Sequence, residues 1–216
     1  MFDIEHIGVQ FMGERVILFK LGASISEMTS KKVRRLTRAL AKNAAVARVV
    51  PTFTDVAVVS SGLAADWTLD QWRGLLGNLR FEEDDDTPKH VQLTVDFCSD
   101  GEGDMATFAH QVGMEIDHII ATLCTCQFTV AMVGFLPGMP YLSGLPENLH
   151  LPRRSQLATA EAGTFAIGGQ QAGVLTHQTL TGWWRLGRTD TIFFDQHADP
   201  MAILSIGDKV TLTRQP

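Results

Sequence analysis

Apolar positions in the first half of the chain change period several times, and each change marks an element. Arg15 to Leu21 (RVILFKL) is a short apolar run of strand character. From Ser24 to Asn43 the apolar residues Met28, Val33, Leu36 and Leu40 fall at helical spacing, with Lys31, Lys32, Arg34, Arg35 and Arg38 mostly between them. That predicts an amphipathic helix whose basic face is solvated. Val46–Val50 and Asp55–Ser60 read as strands around Pro51. Thr68 and Gln71 have capping-box spacing ahead of Trp72, Leu75, Leu76 and Leu79, so a second helix starts there. Strand, helix, two strands and helix make a small α+β domain with a sheet covered on one side.

The pattern stops at Glu82–Pro88 (EEDDDTP). Consecutive acids repel one another and bury nothing apolar, so this segment reads as an exposed linker. The expected domains are therefore 1–87 and 88–216. Val91–Phe97 opens the second as a strand. Two short helices, Asp104–Val112 and Glu115–Leu123, follow, broken at Gly113. From Gln127 onward the pattern is all β, with strands expected at Gln127–Phe135, Thr164–Gly169, Gly173–Gln178, Trp183–Gly187, Thr191–Asp195 and Lys209–Thr213. Short strands at that spacing imply a barrel or sandwich.

Gly134 to Arg154 (GFLPGMPYLSGLPENLHLPRR) stands apart. With prolines at 137, 140, 146 and 152 and glycines at 134, 138 and 144, it reads as a long loop of fixed shape with no regular element. It is rich in apolar side chains and ends in Arg153 and Arg154. That combination suits a pocket wall receiving a small anionic ligand, and equally a surface loop covering one end of a β-domain. Arg153, Arg154, Gln170, Gln171, His177, Arg185 and Arg188, with Trp183 and Trp184, form the polar cluster of the β-domain. Both arginines of the pair are expected to act on ligand rather than on stability. Phe135, Met139, Tyr141 and Trp184 are the expected contacts for a partner chain, since aromatic residues and Met are enriched in interfaces.

Bulk composition narrows the function classes. The chain has 216 residues, 45% hydrophobic and 19% charged, with a formal net charge of −6. That is the composition of a soluble globular protein, and the negative balance argues against nucleic-acid binding. No stretch approaches ~18 consecutive apolar residues, so no membrane span is expected. MFDIEHIGVQ lacks a basic region before an apolar core and does not read as a secretory signal. Cys98, Cys124 and Cys126 fit reduced thiols in the cytoplasm.

Several motifs match in outline only. Gly101, Gly103 and Ala106 satisfy a Gly-x-Gly-x-x-Ala dinucleotide pattern, but Asp100, Glu102 and Asp104 would repel a pyrophosphate. The helix pair that follows resembles a helix-turn-helix, yet Ser99 to Cys126 contains no Lys or Arg to contact phosphates. Gly168 and Gly173 have P-loop separation, but Val174 and Leu175 replace the required Lys and Ser/Thr. Cys124 and Cys126 lack a second pair or a nearby His, so no metal site is expected. His150, His177 and His197 are far apart in sequence, and no nucleophile or general base stands out.

The motif order GFLPGMPYLSGLPENLHLPRR, AGTFAIGGQQAG, TGWWRLGRT, FFD and IGD resembles the KipI/allophanate-hydrolase-subunit-1 family, whose best-understood members are the B subunits of 5-oxoprolinase. Gly134, Phe135, Pro137 and Gly138 match its Gly-Phe-x-Pro-Gly motif. Tyr141 and Leu142 match Tyr-Leu, and Pro152, Arg153 and Arg154 match Pro-Arg-Arg. Gly169, Gln171 and Gly173 match Gly-x-Gln-Thr-Gly, while Gly182, Trp183, Gly187, Arg188 and Thr189 match the Gly-Trp and Gly-Arg-Thr segments. The chain departs from the pattern at Ala160-Glu161-Ala162-Gly163, at Ala172, at Leu175-Thr176, at Leu180-Thr181 and at Leu123. Several of these departures fall in loops that line the family's pocket.

The resemblance implies a small α+β N-terminal domain and a mainly-β, cyclophilin-like barrel. It implies a subunit of an ATP-dependent 5-oxoprolinase-type hydrolase that works with a larger homologous subunit, ATP being bound by the complex. Arg153, Arg154, Gln171 and Arg188, with Phe135, Tyr141 and Trp183, would then surround 5-oxoproline or a related amide. In this reading an arginine holds the substrate carboxylate or a phosphorylated intermediate, and Gln171 bonds the lactam amide. The same resemblance admits a non-catalytic inhibitor of a sensor histidine kinase, as KipI is, or a carboxyltransferase-type half-subunit of a urea carboxylase-like enzyme.

Overall fold

The computed structural model describes residues 7–63, 67–79, 88–97 and 103–216. These fall into two compact units that meet in sequence at Thr87 and Pro88. The acidic run lies almost wholly outside the described residues, as do Gly101 and Cys98.

In the first unit, strands β1 (Gly8–Met12), β2 (Val16–Lys20), β3 (Val46–Pro51) and β4 (Asp55–Ser60) form one antiparallel sheet in the order β1-β2-β4-β3. Ile17 and Phe19 of β2 and Val56 and Val58 of β4 are fully buried, the period-2 signature of a sheet with one covered face. Helix α1 (Glu27–Ala41) packs on β3 and β4, and α2 (Leu69–Asn78) packs on β1. Ser26 caps α1 by accepting from the Thr29 N–H at 3.1 Å. At α2 the capping box is complete: Gln71 N–H donates to Thr68 Oγ1 at 3.2 Å, and Thr68 N–H donates to Gln71 Oε1 at 2.7 Å. The sequence places Met28 on the apolar stripe of α1, but it is 67% exposed. The buried row runs through Thr29, Val33, Leu36 and Leu40, and Met28 lies one residue, about 100°, off it. Strand β1 is not legible in the sequence. Gly8, Gln10 and Gly13 interrupt its apolar pattern, and pairing with β2 is what makes it a strand.

The second unit is a closed seven-stranded barrel. Its strands are β5 (His90–Phe97), β6 (Phe128–Val133), β7 (Pro140–Ser143), β9 (Thr164–Gly168), β10 (Gln171–Leu175), β12 (Trp184–Arg188) and β13 (Lys209–Arg214). The order around the barrel is β10-β7-β6-β13-β5-β12-β9, and β13 with β5 is the parallel pair. Alternate residues fill the interior: Leu93, Val95 and Phe97, Phe128 and Val130, Phe165 and Ile167, Val174, Leu186, Val210 and Leu212. Helices α3 (Met105–Val112) and α4 (Ile116–Thr125) add Phe108, Ile119 and Leu123 to that core. A short ribbon, β8 (Ala158–Ala160) with β11 (Thr179–Thr181), brings Ala160 into a second apolar cluster with Met139, Ala166, Leu175 and Trp183.

Two expectations fail in the barrel. Gly134–Arg154 does contain regular structure: β7 is a full barrel strand paired with β6 and β10, and Glu147–Leu149 is a 3-10 turn. Pro140 is tolerated because it is the first residue of β7, where a missing N–H disrupts least. Leu142, Leu145 and Leu149 are barrel core, not pocket wall. Thr191–Asp195 forms no strand, only a bridge from Phe194 to Ala202. Both edges of β12 are already taken by β5 and β9, so the closed barrel has no edge left to pair. Among the described residues, no helix is long and apolar enough to cross a membrane.

Candidate functional site

Asp104 occupies the N-cap position of α3 and is buried. Its carboxylate gathers two arginines from distant parts of the chain. One oxygen accepts from Arg185 N–H at 3.0 Å and from Arg185 Nε at 2.8 Å. The other accepts from Arg185 Nη2 at 3.1 Å and from Arg154 Nη1. Asp104 N–H in turn donates to the Arg185 carbonyl at 3.0 Å, which ties the start of α3 to β12. Burial alone would raise the Asp104 pKa. The side-chain and backbone hydrogen bonds from Arg185, its charge, and the Arg154 bond outweigh burial and hold the carboxyl below its usual value.

The arginine pair stacks on the tryptophan pair. Arg154 N–H donates to the Gly182 carbonyl at 2.7 Å, so the two segments run side by side. Arg153 then lies 5.5 Å from the Trp183 ring centroid and Arg154 lies 5.7 Å from that of Trp184. Trp184 Nε1 donates to the Pro152 carbonyl at 2.9 Å, which fixes the ring under Arg154. On the other side, Trp183 packs edge-on against Tyr141, with centroids 5.6 Å apart. Burial raises the Tyr141 phenol pKa, against the opposing charge of Arg153. Trp183 can sit this close to β9 because Gly168 has no side chain: a Cβ there would lie 2.6 Å from the ring.

Arg153, Arg154 and Trp184 form part of the wall of a cleft of about 380 Å³. Pro152, Ser155 and Gln156 continue that wall, and Gln111 joins from α3. The cleft thus presents guanidinium groups, two carboxamides and a hydroxyl around an indole face. Such a surface can bind a small anion and orient a neighbouring amide. Its described lining residues include no carboxylate, imidazole or thiol to act as a general base. Elsewhere in the barrel unit, burial pushes the Cys124 and Cys126 thiols up, away from reactive thiolates. Among the described residues, no group of three His, Cys, Asp or Glu side chains could hold a metal.

Of the residues expected around the ligand, only Arg153 and Arg154 line this cleft. Gln171 opens β10 opposite Gly168, half-buried and outside the lining. Tyr141 and Trp183 sit behind Arg153. Arg188 lies four residues along β12 from Trp184, paired with Asp96 and Thr164, so about 13 Å of strand separates the two. Phe135 is 72% exposed, with φ 70, in the turn closed by Gly134 N–H on the Met139 carbonyl. Arg154 is also ion-paired to buried Asp104, a contact to the fold that the sequence did not suggest. Met139 and Trp184 are buried and cannot serve as surface contacts, so Phe135 is the exposed member of that set. Gln111, Ser155 and Gln156 were not expected from sequence as lining residues, and Asp104 was expected only as a repulsive charge. Ser155 and Gln156 directly follow the arginine pair, and that adjacency is the signal in the sequence that points to them.

Residues 7–204 match the family model for the carboxyltransferase domain, subdomain C and D. A relative from Escherichia coli O157:H7, named as the B subunit of 5-oxoprolinase, is 29% identical over 210 residues, covering 94% of each chain. One of the same name from Haemophilus influenzae is 37% identical over 125 residues, covering 56% of this chain and 58% of that one. Among solved structures, TTHA0988 superposes with a TM-score of 0.81 at 23% identity, over 94% of this chain and 40% of its own. Kluyveromyces lactis urea carboxylase superposes with a TM-score of 0.73 at 14% identity, over 97% of this chain and 22% of its own. This chain therefore corresponds to less than half of each of those two longer chains, and the likeness to them is one of fold. By its motifs and by the match along most of its length, the chain belongs to the carboxyltransferase subdomain C and D family, and its relatives from three species are named as B subunits of 5-oxoprolinase.

Proposed function

We propose that this chain is a non-autonomous subunit of a 5-oxoprolinase-type hydrolase and that the Arg153–Arg154 cleft receives the substrate carboxylate. The observation that carries this reading is the cleft itself: two adjacent arginines stacked on two adjacent tryptophans, with Gln111 and Gln156 as amide partners. Arg153 has no ion pair among the described residues and supplies the cation that meets the ligand. Gln111 or Gln156, rather than Gln171, bonds the lactam amide. The groups that cleave the amide come from a larger homologous subunit, and ATP is bound by the assembled complex. No residue of this chain is assigned to it. The barrel is taken as the cyclophilin-like one and the complex as cytoplasmic. Support comes from relatives in three species that are named as the B subunit of 5-oxoprolinase. Co-expression with the larger subunit, size exclusion, and an assay of 5-oxoproline-dependent ATP hydrolysis test the proposal. A stable complex that turns over only when both chains are present is expected. Turnover by this chain alone, or no association with the larger subunit, would overturn it.

A further inference from the structure

Of the groups around the cleft, Asp104 is the one whose role the proposed chemistry does not explain. It lies behind the wall, buried, with its lone pairs directed at Arg154 and Arg185. The two arginines are used differently. Arg185 spends Nε and Nη2 on Asp104 and Nη1 on the Thr159 carbonyl at 2.8 Å, so its fork is committed to the fold. Arg154 gives Asp104 only Nη1. Its Nε and Nη2 make no hydrogen bond among the described residues, and its Cζ lies 5.7 Å from the Trp184 ring centroid. Those two nitrogens form the side of a guanidinium that matches both oxygens of one carboxylate.

We infer that Asp104 is a positioning residue: it pins Arg154 by one nitrogen, so that the Nε–Nη2 edge becomes a fixed two-donor clamp for a singly charged carboxylate, and its own negative charge disfavours a doubly charged phosphate. This rests on the reading of the cleft as the substrate site. Two effects act in the same direction. The clamp forms without ordering Arg154 on binding, because Asp104 and Trp184 have already ordered it. The Asp104 charge repels a dianion about twice as strongly as a monoanion at the same distance. Arg153, exposed and stacked on Trp183, closes on the ligand from the other side.

The test is an NMR titration of the purified full chain, following the Arg side-chain N–H signals, with 5-oxoproline and with inorganic phosphate as separate probes. Wild type is expected to bind 5-oxoproline more tightly than phosphate and to shift the Arg154 Nε–H signal. Asp104→Asn removes the charge and little volume. It should lower 5-oxoproline affinity and raise the phosphate-to-oxoproline affinity ratio about fivefold. Should that variant fail to fold, Arg154→Lys gives an independent reading, since it keeps the charge and loses the fork. It should weaken 5-oxoproline about tenfold and leave phosphate nearly unchanged. An unchanged ratio in Asp104→Asn, or an equal loss of both anions in Arg154→Lys, would overturn the inference and leave the cleft assignment standing. A wild-type chain whose arginine signals respond to neither probe would overturn the cleft assignment itself, and this inference with it.

Discussion

Arg153 and Arg154 both line the cleft, but only Arg154 is also tied to buried Asp104, and truncating each to alanine separates the two. Arg154 is 22% exposed and bonds a carboxylate that is 8% exposed. Arg154→Ala removes one charge-assisted hydrogen bond, about 1.5–3 kcal/mol, and a partly desolvated stack on Trp184 that adds about 0.5–1 kcal/mol. It does not strand a buried charge outright, because Asp104 keeps its bonds from the Arg185 side chain and backbone. The cost therefore falls below the ~3–5 kcal/mol of a buried pair that loses its sole partner and comes to about 2–3 kcal/mol. For a chain of this length, that lowers the melting temperature by about 4–12 °C. Arg153 is exposed, and among the described residues it has no ion pair and stacks over Trp183, so Arg153→Ala should cost about 0.5 kcal/mol or less. Thermal denaturation of both variants by circular dichroism, at matched concentration and salt, makes the comparison. Equal shifts for the two variants, or a larger one for Arg153→Ala, would refute the assignment of Arg154 to the Asp104 knot.

The knot also predicts a pH dependence. Because the Asp104 pKa is lowered on folding, its stabilisation is complete above the ordinary value near 3.8 and is lost as pH falls through the folded value; the stability gap between wild type and Asp104→Asn in urea melts should therefore be constant from pH 5 to 7 and close below about pH 4. At Gly163, where φ is 86° and a Cβ would lie 2.2 Å from the Thr189 carbonyl oxygen, Gly163→Ala should destabilise by about 3 kcal/mol in the same melts; a loss under ~1 kcal/mol would show that this contact relaxes freely. Phe135→Gly relieves a left-handed backbone at an exposed residue, so stability should hold or rise by up to about 1 kcal/mol, while association with the larger subunit weakens on size exclusion. Unchanged association would remove Phe135 from the interface.

What could be read from the sequence was whatever local chemistry decides. The Thr68–Gln71 capping box, the α1 period and the break between α3 and α4 at Gly113 each rest on a few neighbouring residues, and each is where the pattern placed it. What could not be read depends on pairing. Strand β1 has no pattern of its own and exists because β2 offers an edge. Strand β7 hides among prolines because only its first residue is one. The segment at Thr191–Asp195 has the composition of a strand but no free edge to join. The site shows the same division. Pro152-Arg153-Arg154 could be picked out as a motif, and it does reach the cleft. Arg188 belongs to a motif equally well and is carried along β12 away from it. Asp104 could not be found at all, since its partners are 50 and 81 residues away and only the folded barrel brings them together.

The most direct test of the central claim is steady-state kinetics of 5-oxoproline-dependent phosphate release by the complex with the larger subunit, comparing wild type with Arg153→Ala. Removing a charge-assisted contact to the substrate carboxylate should raise KM for 5-oxoproline by about 10- to 100-fold, with the complex still intact on size exclusion and the melting temperature nearly unchanged. An Arg153→Ala complex with wild-type KM and kcat would contradict the claim that this cleft receives the substrate.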